Sequence, residues 1–393
     1  MKSLLLALML LFAGSLTPAF ADAKPQTLSR EAKVYLMVVG PYNKDFASIW
    51  GHSAIWIKDD KNGIDKIYNF GAPAYGGNFM LNLLLGRLKF YLDDKFTLKS
   101  ELNTYRIAKR DVSLYEINIT YKEKQKLFNY LNNKLKPENK YYIYEFYKKN
   151  CTTYTLDALK HSIDGELVYP AENTGLTYRK ICDDKFQHFP WIDFMIKILA
   201  GKKNDEKLKL EDIFFVPKYL ALNLKKTKIK TKYGEKPFFK SEEQVYDFPD
   251  YEQHYSYYST PQFYLILFLV LEILLFAFSY YKRKIYLKFY DYLWFGVIAA
   301  LSLFALYTMI FTGYVVTKWN FNLLWLNPLF ILVFFLKGHK RETVFKIISG
   351  FLIFTLVGFW ILPQTFYMQN LILAFILLLK TLKYGFLKTR FQG

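Results

Sequence analysis

Cys151 and His52 are the two residues whose types and settings best suit covalent chemistry. Cys151 lies in Asn150-Cys151-Thr152-Thr153-Tyr154, where the pattern predicts a helix start with Asn150 as cap and the cysteine in the first turn. Helix N-terminal amides favour an anion, so this position raises the thiolate fraction, and a nearby imidazole raises it further. His52 lies in Trp50-Gly51-His52-Ser53-Ala54-Ile55-Trp56-Ile57 at the start of an expected strand. Strand alternation sends His52 and Ser53 to opposite faces, so Ser53 is not the nucleophile this imidazole serves. A cysteine and a histidine so placed form a nucleophile and a base. Two blander readings stay open on the residues alone: a buried structural cysteine beside a satisfied histidine, or a Cys151–Cys182 disulfide in an oxidising compartment.

Other chemistries are poorly served. The chain has no GxSxG elbow, Walker loop, Rossmann fingerprint or HExxH motif. Its 2 cysteines exclude a disulfide scaffold and a cysteine-built zinc site. Among the 5 histidines, His161 is ten residues beyond Cys151, about 15 Å along a continuous helix and out of reach for proton transfer. His188 and His254 sit in weakly patterned stretches, and His339 falls on the far side of the expected membrane.

The elements that must position the pair read as mixed α and β. Segments 34–40, 52–58, 66–70, 104–108 and 112–119 are rich in β-branched and aromatic residues and separated by turn signals, which predicts an antiparallel sheet. Thr120-Tyr121-Lys122-Glu123 has the spacing of a capping box opening a helix to about residue 135. Segment 79–92 is apolar but too short to span and is broken by Arg87 and Lys89; it reads as a core helix, as a piece that dips into the leaflet or as the lining of an acyl channel.

The 393 residues combine 52% hydrophobic content with a net charge of +19, and the basic excess is densest after Pro261. That distribution fits basic loops of a membrane protein and not a nucleic-acid-binding face. Met1-Lys2-Ser3, a Leu-rich stretch over 4–12 and Ala19-Phe20-Ala21 before Asp22 have the order of a cleavable secretory signal. Apolar stretches near 262–280, 293–316, 321–336, 344–362 and 366–382 predict five spans, the third weakened by Asn327-Pro328. Basic clusters at Lys282–Lys288, Lys337–Lys346 and Lys380–Arg390 would be cytoplasmic, which leaves 22–261 outside. The expected organisation is a signal peptide over 1–21, a periplasmic domain over 22–200, a basic and Tyr-rich connector over 201–261, a transmembrane domain over 262–384 and a cytoplasmic tail over 385–393. Glu272, in mid-span, is costly in lipid and is expected either to contact a headgroup or substrate amine or to pair with Asn or Tyr of a neighbouring helix.

A strand-borne histidine followed by Asn-Cys at a helix start is similar to the permuted branch of the NlpC-type papain-like superfamily, with its lecithin-retinol acyltransferase group. More closely, Trp50-Gly51-His52-Ser53-Ala54, Tyr68-Asn69-Phe70-Gly71 and Asn150-Cys151-Thr152-Thr153, followed by five spans, resemble the Lnb-type bacterial lipoprotein N-acyltransferases. The resemblance implies an α+β papain-like exported domain and an all-α membrane domain in the bacterial inner membrane, with the C-terminus cytoplasmic. It implies transfer of an acyl chain from a phospholipid, through a Cys151 thioester with His52 as base, to the α-amine of a diacylglyceryl lipoprotein. Asn69 is the expected orienting partner of His52, and the backbone amides of Cys151 and Thr152, ordered by Asn150, are the expected oxyanion donors. No cofactor or metal enters this scheme. The competing readings are a cysteine hydrolase acting on peptidoglycan peptides or lipid esters, and a non-catalytic membrane adaptor with the Cys151–Cys182 disulfide.

Overall fold

The computed structural model describes residues 26–74, 78–171, 173–249, 255–284 and 287–387. The expected signal peptide, His254 and the tail beyond 387 lie outside the described residues.

The N-terminal part is built on an antiparallel sheet of β1 (Lys33–Val39), β2 (His52–Asp59), β3 (Ile64–Pro73), β4 (Lys89–Asp93), β5 (Val112–Ile117), β6 (Tyr141–Ile143) and β10 (Phe239–Tyr246), in the order β10-β5-β1-β2-β3-β4-β6. A small second sheet holds β7 (Glu166–Val168), β8 (Lys228–Thr231) and β9 (Gly234–Pro237). Helices α1 (Phe79–Leu84), α2 (Leu98–Ile107), α3 (Tyr121–Lys134), α4 (Cys151–Ser162), α5 (Tyr178–Phe186), α6 (Pro190–Leu199) and α7 (Pro217–Leu224) complete this part.

Alternation along the strands divides the sheet into two buried faces. Val34, Leu36, Ile55 and Ile57 meet Leu127 and Phe128 of α3 and Leu156 and Leu159 of α4 on one face. Met37, Val39, Ala54 and Trp56 meet Tyr105 of α2 on the other, with Leu98 and Leu102 packed alongside. Each of the Val, Leu, Ile, Met and Phe side chains, fully buried, contributes about 1.5–3 kcal/mol. The sheet is therefore fixed from both sides, which sets the register with Val39 opposite His52 and Ile55 opposite Tyr68.

Two expectations change here. Residues 104–108 are not a strand but the end of α2, whose start is set by Thr97, its side chain accepting from the Ser100 amide. The connector expected over 201–261 folds into this N-terminal part: Phe214, Phe215, Leu220 and Leu224 enter its core, and β10 pairs with β5. The signal was hidden because β10 is an exposed edge strand carrying Lys240, Glu242 and Glu243, charges that suit a sheet edge.

In the C-terminal part, α8 (Pro261–Tyr281), α9 (Lys288–Phe311) and the stretch Met368–Leu387, which contains α12 (Met368–Leu382), are long and apolar enough to cross a membrane. The third expected span is instead a chain of short turns over Phe321–Phe335 ending in α10 (Leu332–Phe335), interrupted where Asn327 accepts from the Leu329 amide next to Pro328. The fourth segment is α11 (Gly338–Gly358), whose first three turns carry Lys340, Arg341, Glu342 and Lys346.

The two parts are stitched together by polar bonds. Asn320 and Asn322 donate to backbone carbonyls of α6, and Gly201 donates its amide to the Val316 carbonyl at 2.9 Å. Lys318 donates to the Met309 and Thr312 carbonyls, closing the C-terminal end of α9.

Candidate active site

Asn150 builds the start of α4. Its side-chain oxygen accepts from the Thr152 amide at 2.9 Å and the Thr153 amide at 3.0 Å, while its own amide group donates to the Phe146 and Phe215 carbonyls. The cap therefore fixes the helix end and ties it to two loops, and Cys151 occupies the first helical position as expected. Thr152 needs a correction. Its amide is consumed by the cap and is not free for an oxyanion; its hydroxyl lies 3.6 Å from the Cys151 sulfur. The Cys151 amide, first in the helix, has no intrahelical acceptor.

His52 begins β2, and Asn69 lies on the adjacent β3. The His52 Nε2 to Asn69 Oδ1 distance is 2.9 Å, and Asn69 Nδ2 donates to Glu101 Oε1 of α2 at 3.0 Å. An ionised carboxylate only accepts, so Glu101 fixes the Asn69 amide with its oxygen toward His52. That oxygen also only accepts, so Nε2 carries the proton and Nδ1 is the ring nitrogen left for the sulfur.

Burial pushes the Cys151 thiol up, but the charge of His52, hydrogen bonds from His52 and Thr152 and the Ser53 backbone amide outweigh it, bringing it down to about 7. Burial works against protonating His52, and the Cys151 charge together with hydrogen bonds to Cys151 and Asn69 raises it above its ordinary value. The two groups thus favour a thiolate–imidazolium pair. Arg110, whose guanidinium donates to the Gly40 carbonyl at 2.8 and 3.0 Å, adds a cation that acts against the imidazolium.

The chain packs tightly beside Cys151. Gly71, at φ +103°, would carry a Cβ 3.3 Å from the Cys151 Cβ. Tyr142, its ring tilted against Tyr154 with centroids 4.2 Å apart, feels the Cys151 charge, and its buried hydroxyl oxygen lies near the Gly71 backbone amide.

Sequence reasoning missed Glu101, Tyr142 and the Ser53 amide. Glu101 stood in an unassigned stretch, although an acid in the first turn of a helix was a usable signal for α2.

Cys182 is free, as is Cys151, so the two are not bridged. Cys182 lies 3.2 Å from the Tyr147 hydroxyl, and burial pushes its thiol up to about 12. His161 lies tilted against the Tyr130 ring, and His188 lines an open cleft with Trp50 and Lys218, so neither joins the Cys151 cluster.

Glu272 is fully buried and pairs with lysines, not with Asn or Tyr. Lys380 lies 2.6 Å and Lys383 2.8 Å from its two oxygens, and both lysines also bind Asp291. Lys380 and Lys383, expected in a cytoplasmic basic cluster, are thereby neutralised inside the bundle.

Residues 21–182 match the family model of the Lnb N-terminal periplasmic domain, and residues 252–391 match that of the Lnb transmembrane domain. No curated protein and no solved structure matches the chain significantly. Matched in order by the two domains of one family, the chain belongs to the Lnb-type family and is a membrane protein with a periplasmic domain.

Proposed function

We propose that the protein is a lipoprotein N-acyltransferase of the bacterial inner membrane, with 22–261 periplasmic, five crossings and a cytoplasmic C-terminus. The observation that carries the reading is the Cys151–His52–Asn69–Glu101 chain, in which a depressed thiol faces a histidine of fixed tautomer. The helix that bears Cys151 packs against the sheet that bears His52, in keeping with a permuted papain-like domain.

In the first half-reaction the Cys151 thiolate attacks an ester carbonyl of a phospholipid, forming a carbon–sulfur bond and a tetrahedral oxyanion. Collapse breaks the ester carbon–oxygen bond, and the leaving lysophospholipid oxygen takes the proton held by His52. In the second, the α-amine of a diacylglyceryl cysteine attacks the thioester, His52 accepts a proton from that amine, and the thiolate leaves. Tyr142 O–H and the Cys151 amide are the groups on hand for the oxyanion in both steps. The same imidazole serves as acid and then base, so no further proton carrier is needed.

The function is tested by supplying the chain to membranes that hold diacylated lipoprotein and reading the lipoprotein N-terminus by mass spectrometry. Gain of one N-linked acyl chain, lost with Cys151→Ala, is expected. Release of free fatty acid with no N-acylation would assign a hydrolase instead.

A further inference from the structure

Segment α1 is a six-residue helix in which three apolar side chains, Phe79, Leu81 and Leu84, are 37%, 50% and 41% exposed. It is not a loose flap. The Tyr314 hydroxyl donates to the Leu83 carbonyl at 2.6 Å, the Tyr307 hydroxyl reaches the Leu85 carbonyl at 3.5 Å, and a Cβ on Gly86 would stand 2.7 Å from the Thr312 Cβ. Tyr307 is four residues before the end of α9, about 6 Å down the helix from its periplasmic terminus. A segment bonded there lies at the depth of the headgroup and acyl boundary, alongside a span. Arg87 and Lys89, which follow α1, have no carboxylate partner among the described residues and complement a phosphate layer. At its other end α1 is preceded by β3, where a Cβ on Gly71 would stand 3.3 Å from the Cys151 Cβ.

We propose that α1 is seated in the periplasmic leaflet and is the surface along which the acyl ester of a membrane lipid is led to Cys151. The delivery role rests on the acyl-transfer reading; the seating does not. Water-exposed apolar groups would cost stability, and the bonds to α9 leave the bilayer as the solvent that covers them.

The full chain in phosphatidylethanolamine–phosphatidylglycerol vesicles tests this. A spin label at Leu81→Cys in a Cys151→Ala background, with that parent as blank because Cys182 is buried, should be reached by oxygen in preference to a water-soluble nickel complex. Aqueous-like nickel access would overturn the seating whatever the enzyme does. With Cys151 restored, Phe79→Ser, Leu81→Ser and Leu84→Ser together should lower acylation by vesicle phospholipid about tenfold more than acylation by a soluble short-chain ester. Equal losses would overturn delivery. Absence of Cys151 acylation from both donors in the unaltered chain would instead count against the acyl-transfer reading.

Discussion

Asn69 accepts the Nε2 proton of His52 at 2.9 Å and so decides which ring nitrogen meets Cys151. Glu101 in turn holds the Asn69 amide at 3.0 Å, so a side chain two residues removed from the sulfur orients the ring that faces it. Removing Asn69 leaves both groups present but the ring unoriented. Asn69→Ala should slow Cys151 acylation about 10- to 100-fold, measured by single-turnover kinetics, while the folded far-ultraviolet signal persists. Unchanged kinetics would mean the ring is oriented by other contacts.

The thiol should titrate near 7. Below that pH it is protonated and slow to alkylate; above it the thiolate reacts. Iodoacetamide modification of Cys151 should therefore rise with a midpoint about two units below an ordinary thiol. His52→Ala removes the cation and leaves the burial, so the midpoint should move upward. No shift in that variant would separate the two groups electrostatically.

Tyr142 offers a buried hydroxyl in the field of Cys151, its O–H proton given to no acceptor among the described residues. Tyr142→Phe should lower the acylation rate about 10²-fold, as loss of an oxyanion donor does, without altering the alkylation midpoint of Cys151. Equal acylation rates would remove Tyr142 from the transition state.

Gly71 faces Cys151 in a conformation that other residues adopt only with strain. Gly71→Ala should destabilise the exported domain by about 1–2 kcal/mol and displace the nucleophile, seen as a lower Tm together with slower Cys151 alkylation.

The buried group of Glu272, Asp291, Lys380 and Lys383 balances two charges of each sign. Glu272→Gln leaves a lysine under-compensated and should cost about 3–5 kcal/mol, read as a lower Tm in detergent micelles. Glu272→Gln with Lys380→Met should recover part of it. A neutral single variant would show that water reaches the group.

What was legible in the residues was local. The Asn150 cap, the strand start at His52 and the Thr120 capping box depend on neighbours within one turn or one strand, so their pattern survives in one dimension. Asn69 was legible as a partner because its strand follows that of His52. Glu101 was not, since its link to Asn69 crosses from helix to sheet. The third expected span is not one continuous helix, for a physical reason visible at Asn327-Pro328, where the missing amide and the side-chain bond to Leu329 divide it. Lys380 and Lys383 misled because charge near a helix end reads as cytoplasmic unless the buried acids that face it are known.

The most direct measurement is the intact mass of the full chain after incubation with phospholipid and no acceptor. One added acyl group on Cys151, removed by hydroxylamine and discharged by a diacylated lipopeptide as the lipopeptide gains an N-acyl chain, is the predicted result. An unmodified Cys151 while the lipopeptide is still acylated would contradict a thioester route.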